Sequence, residues 1–426
     1  MAENLRIAFF TPSFLPKCSG AEIFHHNLAI RLAQRGHHVF IVLPRRYLSE
    51  LASVAGSFPY VLVPYPANTW SYFKRSPRLA LLMNRIALGN LQRRYRFDLW
   101  HGIVTYPTGI CLVDWQKHAS KKNRPTPYLV RSVGDDILSS SDKKVGLRQD
   151  LMIGGLISEI MPGVQMMIAL SETMRREYVR IGVPEKRLAV VPNAVDLARF
   201  RGPTNRLKTR QEHGLAPDRF LFLAVGRNHP QKDYTTMLDA ALQLRRALPD
   251  PFQLAIAGRD AGALGPEVTR RGLNDTVRLL EIGIPKYSPL GNAAVEAPPA
   301  SMANLYGAAD AFVMSSLLEG FSSALLEAMA AGLPVIVADS PGCGDFVREE
   351  NSGWIVPPGN PSALAEKMRQ LLQSVEARNE LAARSRQRAS QFDWHVVVDR
   401  YLEIYQELIR PGKRVDCSSE REELKR

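Results

Sequence analysis

The feature that most constrains this chain is a rhythm. Short runs rich in Val, Ile and Phe alternate with longer amphipathic stretches, beginning with Leu5–Phe10, Ala21–Arg35 and Val39–Leu43. Strand, helix and strand in that order specify βαβ units, because parallel strands need a long crossover to return the chain to the same edge. Further strands are predicted at Tyr60–Val63, Leu99–His101, Tyr128–Val133, Met166–Leu170 and Leu188–Val191, with a helix over Arg78–Arg94 among the connectors. The rhythm restarts at Phe220–Val225, Leu254–Ala257, Val277–Leu280, Ala311–Met314 and Pro334–Ala338. Between the two series, Asp196–Arg210 is polar, carries Gly202-Pro203 and lacks clear periodicity, which marks a linker. The expected fold is therefore α/β, with two Rossmann-like doubly wound parallel-sheet domains at 1–200 and 201–392 facing a central cleft. A helix at 393–410 and a charged tail at 411–426 follow. At 426 residues, each domain is large enough to bury its own core.

Composition excludes several classes. No apolar run approaches the roughly 18 residues of a membrane span, and Leu5–Phe10 is too short for a signal-peptide core, so a cytoplasmic protein is expected. Cys18, Cys111, Cys343 and Cys417 form no CxxC pair and read as reduced thiols. The net charge of +13 is unevenly placed: residues 1–200 hold 27 Lys or Arg against 14 Asp or Glu, whereas 201–426 hold 28 of each. Such a field attracts acidic lipid, phosphorylated acceptors or nucleic acid, although a plain solubility effect is an alternative. No recognition helix, zinc finger or RNP-like aromatic pattern supports nucleic acid. Residues 70–97 contain Lys74, Arg75, Arg78, Arg85, Arg93, Arg94 and Arg96 with no acid, beside Leu79, Leu82, Met83 and Ile86 on one helical face. That pattern fits peripheral contact with anionic membrane, and equally a helix packed on its own domain with solvated arginines.

The chemistry concentrates in Glu319-Gly320-Phe321-Ser322-Ser323-Ala324-Leu325-Leu326-Glu327, where Glu319 stands in a loop after a strand and Glu327 inside the next helix. That helix is predicted to begin at Ser322 or Ser323, and its first N–H groups and dipole favour an anion such as diphosphate. Alone, two glutamates at this spacing are more often surface charge. Their context is specific: the segment follows Ala308-Ala309-Asp310-Ala311-Phe312-Val313-Met314 and runs into Ala328-Met329-Ala330-Ala331-Gly332-Leu333-Pro334-Val335-Ile336.

This stretch resembles the nucleotide-sugar signature of the fourth family of retaining glycosyltransferases. The likeness extends to Val225-Gly226-Arg227 through Lys232-Asp233-Tyr234, to Val191-Pro192-Asn193-Ala194-Val195-Asp196, to Gly353-Trp354-Ile355-Val356-Pro357-Pro358-Gly359 and to Gly20-Ala21-Glu22. It implies a GT-B fold, with the 393–410 helix crossing back to the N-terminal domain, a nucleotide-diphosphate sugar as donor and a glycan or lipid-linked acceptor. It implies that Arg227 and Lys232 neutralise the diphosphate, that Glu327 binds ribose hydroxyls, and that Glu319 holds the sugar and steadies an oxocarbenium-like transition state. Phe321, Ser322 and Ser323, behind Gly320, would offer backbone N–H groups, and Gly20 would let the first loop approach the diphosphate, or serve as a plain turn glycine. Two positions depart from the family: Ser322 replaces a common glycine, and Val133 stands where a histidine often precedes Gly134. His101, Arg131, Asp136 and Asn193 are the remaining candidates for sugar or acceptor contact, with a structural role the alternative for His101 and a helix cap for Asp136. The chain has no Asp-x-Asp and no clustered metal ligands, so neither a metal nor another cofactor is expected. The competing readings are a sugar-nucleotide epimerase of similar plan and a non-catalytic nucleotide-sugar-binding protein.

Overall fold

The computed structural model describes residues 4–15, 20–52, 55–120, 125–139, 146–202, 204–248, 252–282 and 300–409. Two parallel sheets account for the two rhythms. The first contains β1 (Arg6–Phe10), β2 (His38–Pro44), β3 (Val61–Tyr65), β4 (Leu99–Ile103), β5 (Tyr128–Arg131), β6 (Met167–Ala169) and β7 (Leu188–Val190), in the order β3-β2-β1-β4-β5-β6-β7. The second contains β8 (Phe220–Val225), β9 (Phe252–Gly258), β10 (Val277–Glu281), β11 (Ala311–Met314), β12 (Val335–Ala338) and β13 (Trp354–Val356), in the order β10-β9-β8-β11-β12-β13. In both sheets the order reverses beside the first strand, β1 or β8, which opens a crevice at the carboxyl ends of the strands.

Strand periodicity is visible in the cores. Ile7 and Phe9 pack on one face of the first sheet with Leu28 and Tyr401, while Ala8 and Phe10 pack on the other with Trp100 and Ile110. Both faces are buried, as a parallel sheet flanked by helices requires. Helix α1 (Gly20–Gln34) covers the first face together with the chain's last described helix, Trp394–Ile409, whose Trp394 ring lies 5.1 Å from that of Phe24.

Two details differ from the sequence expectation. The 196–210 stretch is not structureless: it holds short helices at Leu197–Phe200 and Arg206–Glu212, each capped by a side chain, Asp196 to the Arg199 amide and Asn205 to the Lys208 amide. Both are too short to show a period. The basic stretch also has fewer free charges than its composition suggests. Helix α2 (Pro77–Tyr95) buries Leu81 and Leu88 and exposes Leu79, Leu82 and Ile86, but Arg85 makes a bidentate ion pair with Asp114 at 2.6 and 2.8 Å. The basic cluster at 117–124 lies partly outside the described residues, as do the 285–300 loop, Cys18 and the charged tail. No described helix is long and apolar enough to cross a membrane.

Candidate functional site

One cleft of about 690 Å³ lies between the carboxyl ends of the two sheets and is lined from both domains, among others by Gly20, Val133, Asp135, Arg227, Lys232, Glu319 and Glu327. Its floor on the C-terminal side is braced by hydrogen bonds between loops. The turn Pro230–Lys232 is tied to the loop after β11 by the Leu317 amide donating to the Gln231 carbonyl at 2.8 Å, and by Gln231 Nε2 donating to the Leu318 carbonyl. Ser315 Oγ donates to the carbonyls of Lys232 and Asp233 at 2.8 and 2.9 Å. A Cβ on Gly226 would stand 2.8 Å from Lys232 Cε, so a side chain there would push Lys232 out of its present place. These contacts aim Lys232 Nζ at Glu319 Oε1, 2.6 Å away, with both side chains largely buried.

Helix α3 (Ser323–Ala330) opens its first turn on the cleft, and Ser322 is its N-cap, its Oγ accepting from the Leu325 amide at 3.3 Å. The hydroxyl of Ser322 therefore has a structural task in the position where glycine is common. Glu327, one turn into α3, accepts from the Tyr306 hydroxyl at 2.8 Å. Burial pushes its carboxyl up to about 7, against the opposing pull of Tyr306 and Arg199. Arg227, just beyond β8, is half-exposed, and its guanidinium lies 4.0 Å from Asp135 of the opposite domain. Gly20 begins α1, and a Cβ there would make only ordinary contact, 3.4 Å, with Ser323 Oγ. The two domains also approach closely at two glycines: a Cβ on Gly320 would fall 2.6 Å from Gly134 Cα, and one on Gly134 would fall 2.7 Å from Gly320 Cα.

The four candidate acceptor contacts are placed differently. His101 does not reach the cleft. It stands two residues short of the end of β4, is fully buried, contacts the Tyr405 hydroxyl at 2.8 Å through Nδ1 and stacks on Tyr401. Burial and the nearby Arg131 hold its pKa well below the ordinary histidine range, so it is a neutral core residue. Arg131 is also buried. It donates to the Tyr401 hydroxyl at 2.9 Å and to Asn193 Oδ1 at 2.5 Å, and lies 3.8 Å from the centre of the Phe24 ring. Asn193 passes the connection on, donating to the Phe321 carbonyl at 3.1 Å and to Ser323 Oγ at 3.0 Å. Arg131 and Asn193 thus link the last helix to the first turn of α3. Asp136 is a loop organiser: its carboxylate accepts from the Ser132 hydroxyl, the amides of Val133 and Gly134, and both the amide and hydroxyl of Thr105. It is not a helix cap, and with Arg131 and Asn193 it still lines the cleft. Sequence reasoning passed over Asp135, the neighbour that lines the same cleft with a half-exposed side chain. The Gly134-Asp135-Asp136 doublet was its signal, since one carboxylate sufficed to hold the turn.

Two family models match, one described as Glycosyltransferase Family 4 over residues 18–199 and one as Glycosyl transferases group 1 over residues 219–374. The chain belongs to glycosyltransferase family 4. Its sheets and cleft are those of the GT-B fold: a glycosyltransferase from Rickettsia africae superposes with a TM-score of 0.74 at 16% identity, covering 96% of this chain and 100% of that one. The Anabaena protein Alr3699/HepE, in complex with UDP and glucose, does so with a TM-score of 0.70 at 20% identity, covering 95% and 100%. A D-inositol 3-phosphate glycosyltransferase of Kineococcus radiotolerans is 28% identical over 269 residues, so this chain matches 59% of that relative's length and 59% of its own. The paired glutamates of α3 and its approach loop fall within the second matched region.

Proposed function

We propose that this family 4 member is a retaining glycosyltransferase that moves a hexose-type unit from a UDP- or GDP-sugar to a lipid-linked or cell-surface glycan precursor. The observation that carries the reading is the convergence of Lys232, Glu319, Arg227, Glu327 and the N-terminus of α3 on one cleft. Two cations and a helix dipole suit a diphosphate leaving group, whose charge grows as the glycosidic bond breaks. Glu319 accepts from sugar hydroxyls once the diphosphate engages Lys232, and Glu327 accepts from ribose hydroxyls. The leaving diphosphate takes the acceptor's proton on the same face of the sugar, which retains the anomeric configuration and needs no metal. The Anabaena relative bound to UDP and glucose supports a nucleotide-sugar donor.

The acceptor side of the reading rests on charge. Arg75 and Arg78 flank the exposed Leu79, Leu82 and Ile86 of α2, a combination suited to the anionic inner face of the cell membrane, where a lipid-linked acceptor resides. The test is a transfer screen of UDP- and GDP-sugars against lipid-linked and soluble glycan acceptors, with and without EDTA, and proton NMR of the product. An α-linked product from an α-linked donor, formed equally in EDTA, is the expected result. Inversion, or loss of turnover on chelation, contradicts the mechanism, and donor conversion without acceptor points to an epimerase instead.

A further inference from the structure

Asp135 lines the cleft, and its side chain has no part in holding its own loop. The loop that carries it is held by Asp136 and by the Leu147 amide donating to the Asp135 carbonyl at 2.8 Å, and the Asp135 side chain takes no part. Its carboxylate is half-exposed and lies 4.0 Å from Arg227 of the other domain. The close approach of Gly134 and Gly320 sets this loop against the one that leads into α3, which keeps the Asp135 backbone beside the cleft and near Arg227. Burial, then Asp136 and Glu319, raise its pKa, while Arg227 and His229 oppose them.

Resting on the glycosyltransferase reading, we propose that Asp135 is a specificity residue of the donor site that favours the nucleotide-sugar over the nucleoside diphosphate product. In the free protein it pairs with Arg227. A bound diphosphate competes for the same guanidinium and is left facing the Asp135 carboxylate. The diester of a nucleotide-sugar carries two negative charges, and the product diphosphate carries nearly a third at neutral pH. Repulsion by a fixed carboxylate grows with ligand charge, so Asp135 weighs more heavily against product than against donor and speeds release after transfer. The cost is some donor affinity, which Arg227, Lys232 and α3 supply in excess.

The test uses the whole chain and calorimetric titration with UDP, UDP-glucose, GDP and GDP-mannose as probes. Asp135→Asn keeps the side-chain volume and should bind both the diphosphate and its sugar more tightly, with the gain for the diphosphate larger by about threefold to tenfold, an effect that shrinks in added salt. Asp135→Glu should keep the wild-type ratio of diphosphate to nucleotide-sugar affinity. An unchanged ratio in Asp135→Asn, or weaker binding of the diphosphate, overturns the proposal while leaving the glycosyltransferase reading in place. Wild-type protein that binds none of the four probes removes that reading and this inference with it.

Discussion

At the residue scale the two glutamates should fail differently. Ribose is present in donor and leaving group alike, so Glu327→Gln is expected to weaken donor binding about tenfold with little change in turnover, whereas Glu319→Gln should lower turnover about a hundredfold with donor affinity nearly kept. Equal losses of donor affinity alone would contradict that division, which steady-state kinetics on both variants reads directly. Glu327 also gives the site a pH dependence. Its folded-state value, about 7, lies above that of an unfolded carboxyl, so the free protein loses stability as pH climbs from the carboxylate range to about 7. The ionised form is the better acceptor for ribose hydroxyls. Nucleotide-sugar affinity should therefore rise as pH passes through 7 and level off above it, and Glu327→Gln should flatten the profile; a flat wild-type profile in calorimetry would contradict this. The same residues show what was legible. Glu319, Glu327, Arg227 and Lys232 could be singled out from the resemblance their segments carry, and the fold brings all four to one cleft. His101 takes the structural role that was its alternative: β4 runs two residues beyond it, and Tyr401 and Tyr405 cover it from a helix about three hundred positions away in sequence.

At the element scale, placement depends on loops meeting across the cleft. Gly320→Ala introduces a Cβ 2.6 Å from Gly134 Cα and 2.8 Å from the Val133 carbonyl, so the two loops must separate. Each domain keeps its own core, and the expected outcome is a melting temperature close to wild type with transfer reduced about a hundredfold, the cost of displacing aligned groups by roughly an ångström. Wild-type turnover in this variant would show that the contact has no part in catalysis. Contacts of this kind cannot be read from sequence, because nothing local says which two glycines touch. The strands could be read, since burial on both faces forces apolar runs, and their predicted ends agree with the structure to within about two residues. The strand left unread, β13, has three residues, lies at the sheet edge and runs into Pro357-Pro358-Gly359, too brief for a pattern to form.

At the scale of the whole molecule, the excess charge of residues 1–200 and the exposed ridge of α2 lead to one expectation beyond catalysis. The protein should co-sediment with vesicles containing acidic lipid at low salt and less so at moderate salt, each base near the surface contributing about 1 kcal/mol. Reversing Arg75 and Arg78 to Glu should weaken this binding without unfolding the chain, whereas Arg85 is committed to Asp114 and belongs to the fold. Indifference to acidic vesicles at low salt would make the ridge a solvated face and favour a soluble acceptor. Under the proposed function, the cleft between the two domains receives a nucleoside diphosphate on its cations. Titrating UDP and GDP into wild-type protein and into Lys232→Ala and Arg227→Ala by calorimetry tests it most directly. One tight site is expected in the wild type for at least one of the two nucleotides, weakened about tenfold to a hundredfold in each variant with the fold intact. Binding that is absent from the wild type, or unchanged by both substitutions, would contradict it.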